Sequence, residues 1–525
     1  MKTIRLLALG LCLAWSQNAS AGWKVASSDH FLVYSEQSET SLAEYAEQLE
    51  RLDAAMRFRY KLSSDGRDKA NRLTVYVLSN DSKIRNLMGG SSRNVMGFYV
   101  PRASGSVAFV PQRVVGGSSG KFDLGADTVL FHEYAHHFFY QNFTGSYPLW
   151  FSEAFAEFFS TVRFESDGGV GIGLPALHRA YSLAMGRSVP MQKLLSATPG
   201  ELDADRLESL YSRGWALLHM LTFADDRQGQ LERYLSAINR GEANKQASFA
   251  AFGDMKQLDR AVDSYVRRPR LPYIKIDKAA LDTGPIDVRT LSEGEDAMLD
   301  IIIVSRRGVN RAQAAALAPK ARAIGARYPD NAFIQAALAE AEFDAGNDAA
   351  AGAAADRALA IDAKSSHAAT YRAMVKMRHA SGVDIADDRK AAWADARKAI
   401  VAANRLDPDD PQPLVLYYRS FLEAGEAAPE IAKAGLIQAQ ALAPGDHGLT
   451  MNTAMMYLRD GKFDKGTTML ASLTSDAHGG ELGRAAAKLI DDIAAAGGDQ
   501  AKIAALVAAL GDKADEPSAQ EPDDD

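Results

Sequence analysis

The chain has 525 residues but a single cysteine, Cys12, which lies in an apolar run near the start. With no second cysteine there is no internal disulfide. Once residues 1–21 are set aside, no thiolate remains for catalysis or metal binding. A basic surplus is missing too. Beyond residue 21 there are 57 Lys and Arg against 67 Asp and Glu, a formal charge of −10. An acidic chain without basic clusters is a poor match for nucleic acid. Long hydrophobic runs are also lacking. The run "LLALGLCLAW" (6–15) is too short to cross a bilayer, and no later segment is apolar enough.

That short run follows Lys2 and Arg5 and precedes the small residues "ASA" (19–21). The pattern predicts a secretory signal peptide over 1–21, with Gly22 as the new N-terminus. Leu11 stands before Cys12, where a lipoprotein signal needs a small residue. A signal-bearing, disulfide-free chain is expected in a bacterial periplasm or outside the cell. The length predicts two to four domains.

"HFLVYSE" (30–36) and "RLTVYVLS" (72–79) read as strands. "SVAFVP" (106–111) pairs in a hairpin with "VMGFYV" (95–100) across "PRASG". Leu42, Tyr45, Leu49, Leu52 and Met56 recur at helical spacing in 38–60. An α/β part over 22–120 therefore precedes a helical part over 121–267. A basic, proline-bearing stretch opens an expected linker, 268–293. Alanine-rich helices fill 294–512, and the acidic residues 513–525 read as a disordered tail.

The segment "FHEYAHHFFY" (131–140) carries His132 and His136 in otherwise apolar surroundings. At about 100° per residue they share one helix face, a turn apart, and can hold one metal ion. Glu133 lies about 100° round from His132, which suits a base that takes a proton from water. His137 falls on the neighbouring face, as a helper or a packed side chain. Asp127 or Thr128 can cap this helix. A zinc site needs a third protein ligand. "PLWFSEAFAEFF" (148–159) offers Glu153 and Glu157, four apart in an apolar helix where unpaired carboxylates are costly. Glu153 is the better ligand, and Glu157 is placed to orient a ligand histidine. The two-histidine, one-carboxylate set favours Zn2+.

These segments resemble the gluzincin metallopeptidases, which include the thermolysin and aminopeptidase N families. "HEYAH" matches their zinc helix, and "LWFSEAFAEFF" matches "WxxEGxA" with Ala154 in place of Gly. The resemblance implies His132, His136 and Glu153 as zinc ligands and Glu133 as general base. "YSRGWALLHML" (211–221) is similar to their "YxKGxxxLxxL" segment, which implies that Tyr211 stabilises an oxyanion. Arg213 and His219 in that segment carry a weaker expectation. The "GxMEN" segment of the aminopeptidases has no counterpart. "GSVAFVPQR" (105–113) stands in its place without a carboxylate to grip a free amine. Strand 106–111 is expected to be the edge on which an extended peptide lies.

In the C-terminal half, "IVAANRLDPDDP" (400–411) and "AGLIQAQALAPGDH" (434–447) end alike. Ala403 and Ala439 each stand five residues before Pro408 and Pro444, which are 36 apart. This resembles tetratricopeptide repeats (TPRs), although their Trp is missing and the spacing stretches around 380–390. The expected fold is an α/β zincin-like catalytic domain followed by an all-α helical-repeat (TPR-like) solenoid. The expected function is an exported zinc endopeptidase, with the repeats binding a substrate or partner protein. The alternatives are an aminopeptidase, or a non-proteolytic TPR scaffold with a vestigial zincin domain. No nucleic acid and no transmembrane span are expected. The repeats are expected to fold without the first half.

Overall fold

The computed structural model describes residues 22–511, apart from 64–71, 90–96, 114–123, 144, 186–187, 199–201 and 475–479. The expected signal peptide and acidic tail lie outside the described residues.

The chain begins with β1 (Lys24–Ser27), β2 (Phe31–Ser35), α1 (Glu39–Tyr60), β3 (Leu73–Leu78), α2 (Asp81–Leu87), β4 (Phe98–Val100) and β5 (Val107–Pro111). Helices α3 (Ala126–Asn142) and α4 (Leu149–Ser160) follow, then β6 (Arg163–Phe164) and β7 (Val170–Ile172). Next come α5 (Ala180–Met185), α6 (Met191–Leu195), α7 (Ala204–Phe223), α8 (Gln230–Asn239), α9 (Asn244–Phe252) and α10 (Met255–Val266). Two strands close this half, β8 (Ile274–Ile276) and β9 (Asp287–Thr290).

Six strands form one sheet in the order β4-β5-β3-β2-β1-β9. The central pairs β2–β3 and β3–β5 are parallel, and the outer pairs are antiparallel. Strand β5 is thus flanked on both sides and buried throughout, not the edge expected from the sequence. Its unbroken apolar run reflects burial on both faces. The edge is β4, which pairs Phe98 with Phe109 and Val100 with Val107.

One sheet face supplies Phe31, Val33, Val75 and Val110 to a core shared with α1, α3, α4 and α7. The other supplies Val25, Tyr76 and Phe109 to a second core. The stretch expected as a linker is woven into both sheets, because β8 pairs with β7 and β9 with β1.

The second half is a run of paired helices: α11 (Glu293–Arg307), α12 (Arg311–Arg327), α13 (Ala332–Asp344), α14 (Asp348–Ile361), α15 (Ser366–Ser381) and α16 (Ala386–Leu406). The run continues with α17 (Pro411–Glu423), α18 (Glu430–Leu442), α19 (His447–Arg459), α20 (Phe463–Thr474), α21 (Gly480–Ala495) and α22 (Gln500–Gly511). Each helix packs on the next, and α11, α13, α15 and α17 also touch in a row. Ala358, Ala403 and Ala439 are almost wholly buried where helices approach closely. This is a helical TPR-like solenoid. Its first helix begins in a capping box of Ser292 and Glu295. Leu299 and Ile303 on α11 enter the second core of the sheet. No helix among the described residues is long and apolar enough to cross a membrane.

Candidate metal centre

Helix α3 places His132 and His136 on one face, and α4 packs beside it with Glu153. The N-cap of α3 is Gly125, with no side-chain cap bond. Neither Asp127 nor Thr128, the expected caps, fills that position, because the helix starts before both. Helix α3 is tied to α1 instead. Tyr134 Oη donates to Asp53 Oδ1 over 2.6 Å, and Asp53 also accepts from Arg57 Nε over 2.6 Å. A buried hydrogen bond to a charged group contributes about 1.5–3 kcal/mol. It fixes which way α3 faces.

The three donor atoms converge. His132 Nε2 and His136 Nε2 are 3.2 Å apart, and Glu153 Oε2 lies 3.3 and 3.5 Å from them. Atoms about 2.0–2.1 Å from a tetrahedral zinc stand about 3.3–3.4 Å from one another. The described residues contain one such grouping, these three, and they fit the ion in donor chemistry and in spacing.

The surrounding charge suits a cation. Burial opposes protonation of His132, but Glu153 and Glu157 outweigh it and push its pKa up to about 10. Burial raises the Glu153 carboxyl, yet His136 and His132 hold it well below the usual carboxylate range. The same two carboxylates favour a dication that replaces the proton at this place.

Glu157 does not reach the triad. Its Oε1 lies 3.4 Å from His132 Nδ1, on the far side of that ring. It accepts from His178 Nε2 at 3.0 Å and from Arg179 Nη2 at 2.5 Å. Burial raises its pKa, but Arg179, His132 and His178 draw it well below its ordinary value. His178 and Arg179 escaped the sequence reading. The signal was there: between Gly168 and Met185 they are the only histidine and the only formally charged residue.

Tyr211, on α7, sets its ring edge-on to His132 at 5.9 Å, with the Arg179 guanidinium 4.8 Å over its face. Glu153 and burial raise the phenol well above its usual pKa, and Glu133 adds to that, so it is a neutral donor near the triad. Glu133 is half-buried on α3. His137 faces away from the triad and shares a 3.0 Å hydrogen bond between its Nδ1 and Tyr99 Oη on β4. Arg213 pairs with Asp259 and Asp263 at 2.9 and 2.7 Å, which is a structural role. His219 is buried between Tyr265 and the Gly173 carbonyl.

No protein-family model matches the chain, and neither does any curated protein. Solved structures similar to it include TTC0263, a thermophilic TPR protein of Thermus thermophilus, at 15% identity and a TM-score of 0.33. That match covers 37% of this chain and 97% of the other. Yeast Tom70 is similar at 12% identity and a TM-score of 0.26, over 59% of this chain and 67% of the other. The likeness is to repeat proteins, and the described residues are mostly helical. Membership of the gluzincin metallopeptidases, implied by the sequence motifs, is corrected: no family model and no curated relative supports it, and a zincin-like catalytic fold is not shown.

Proposed function

We propose that the protein is a TPR-like scaffold for protein partners that binds one zinc ion in its N-terminal half. The observation that supports the metal is the convergence of His132 Nε2, His136 Nε2 and Glu153 Oε2 within 3.5 Å. Protein-binding use of the repeats fits their stacked helices, which expose a long continuous surface. The expected export and the metal belong to the same reading, since an exported, cysteine-free chain draws its ligands from histidine and carboxylate.

A second reading, hydrolysis of peptide bonds, is favoured by Glu133 and Tyr211 beside the triad. Zinc in such a site would polarise a carbonyl and lower the pKa of a water to about 7. Glu133 is then the base that takes the proton and returns it to the leaving amine. Tyr211 donates a hydrogen bond to the developing oxyanion. Glu157, held by Arg179 and His178, keeps His132 in one tautomer with its Nε2 free for the metal. Substrate would lie along β4, the sheet edge tied to α3.

One experiment separates the readings. Zinc content and a proteome-wide cleavage profile are measured for the protein and for Glu133→Gln. Stoichiometric zinc with no cleavage supports the scaffold alone. Cleavage that falls by about 10²–10⁴ in the variant, at equal zinc, establishes the hydrolase. A protein without zinc sinks both metal readings.

A further inference from the structure

The turn between β4 and β5, residues 101–105, is gripped by the repeats. Asp446 Oδ2, at the start of α19, accepts from the Ala103 backbone N–H at 2.7 Å. Arg306 Nη1, near the end of α11, donates to the Ser104 carbonyl at 3.1 Å. Arg102 Nη2 donates to the Arg307 carbonyl at 3.3 Å. Ala103 also packs in the apolar cluster of Tyr418 and Leu449. Asp446 and Arg306 are 140 residues apart, so the turn bridges distant parts of the solenoid.

The face it meets is rich in acid. Glu340 on α13 pairs with Arg306 at 3.5 Å and with His367 on α15 at 2.9 Å. Burial and the neighbouring Glu340 push the Asp344 carboxyl up to about 7. The turn brings Arg102 to this face, where burial and the nearby Arg306 lower its pKa and Glu340 and Asp446 oppose them. The backbone donor of Ala103 thus meets a carboxylate, and the basic side chain of Arg102 meets a backbone carbonyl.

The grip reaches the metal helix by a short path. Tyr99, three residues before Arg102, bonds to His137, the neighbour of the ligand His136. Gly445, next to Asp446, lies so close to α3 that a Cβ there would stand 3.2 Å from Tyr140 Cβ. Tyr140 in turn stacks on His136, with ring centroids 6.2 Å apart.

We infer that this face of the repeats is a receptor for a short small-residue turn bearing a basic side chain, filled here by the chain's own residues 101–105, and that Asp446 is a positioning residue for β4. A protein partner with the same chemistry would compete with the internal turn and free β4 from the repeats. The consequence for a substrate on β4 rests on the hydrolytic reading above.

Asp446→Asn tests it. Asp446 Oδ1 caps α19 at Leu449 N while Oδ2 holds Ala103. Asparagine is a good N-cap but offers one acceptor oxygen for two donors. The helix keeps its cap and the turn loses its hold. Amide exchange over 98–104 should speed up at least tenfold, with zinc content and helical signal unchanged. Arg102→Met loosens the turn from its own side and leaves the repeats intact, so it carries the test if Asp446→Asn does not fold. A peptide of residues 99–107 should bind the Arg102→Met protein at least tenfold more tightly than the unaltered one. Unchanged exchange in the folded variants overturns the positioning role, and no saturable peptide binding to Arg102→Met overturns the receptor. If the unaltered protein turns over no peptide, the hydrolytic reading fails while exchange and binding still decide this one.

Discussion

Glu153 and Glu157 show how two like residues on one helix face take different work. Both are buried in α4, but one meets two imidazoles and the other a guanidinium and a third histidine. Glu153→Ala should therefore remove zinc, as should His136→Ala, whereas Glu157→Gln should keep it with affinity reduced about 10–100-fold. Metal titration against a competing chelator reads both, and zinc loss confined to the Glu157 variant would reverse the assignment. The acids were legible because a carboxylate in an apolar helix needs a partner. Arg179 was overlooked, because the turn that carries it has no period to read and its one signal was to be the sole charge in an uncharged stretch. His219 gives a pH prediction. Unfolded, it titrates near 6.5; folded, burial pushes it down to about 4. Between these values the unfolded chain binds a proton the folded one does not, so stability falls as pH drops from 6.5 to 4. The loss from this group is on the order of 3 kcal/mol. Asp344, raised to about 7, acts in the opposite sense over much the same range. The comparison is therefore between the protein and His219→Gln, whose gap in Tm should narrow as pH falls. A constant gap would mean that His219 takes up no proton on unfolding.

At the scale of elements, β2, β3, β4, β5 and α1 were readable from their periods, whereas the short strands β1, β6, β7 and β9 were not. Helix α1 runs Glu39–Tyr60, close to the 38–60 expected. Strand order was not readable, since pairing depends on crossovers that leave no local pattern. The consequence concerns substrate entry. With β5 in the interior, proline at Val107 should disrupt the sheet itself rather than weaken peptide binding alone. The edge strand β4 is the place to perturb. Tyr99→Phe removes the bond to His137 and should cost about 1 kcal/mol of stability. If peptides are cleaved, their KM should rise in that variant more than kcat falls. Neither β4 nor the turn after it carries a carboxylate, so acetylating a peptide's N-terminus should leave kcat/KM unchanged. Loss of turnover on acetylation would instead reveal an amine-gripping group and an exopeptidase.

At the scale of the whole molecule, alanine spacing and paired prolines disclosed the repeats, but not their attachment. Strand β9 and helix α11 were unreadable as connectors because their partners on the sheet lie about 190 or more residues away in sequence. Trp23 N donates to Asp296 Oδ1 at 2.6 Å, and Leu299 and Ile303 complete the core on the second sheet face. Each such apolar side chain contributes roughly 1.5–3 kcal/mol when buried. The sequence suggested that the repeats fold alone, and this interface argues otherwise. A fragment of residues 290–512 should expose Leu299 and Ile303 and aggregate. Leu299→Glu with Ile303→Lys should make that fragment soluble, and the same pair in the full chain should destabilise it by several kcal/mol. The intact protein should unfold in one transition, because sheet, metal helix and repeats share cores and the 101–105 turn. Ligand linkage then makes the helical signal metal-dependent as a whole: at a free zinc concentration 100 times Kd, stability gains about 2.7 kcal/mol over the chelated protein. Denaturant unfolding followed by circular dichroism, with zinc and with chelator, checks this. Two transitions, of which only the smaller moves with zinc, would show that the repeats stand apart from the metal half after all.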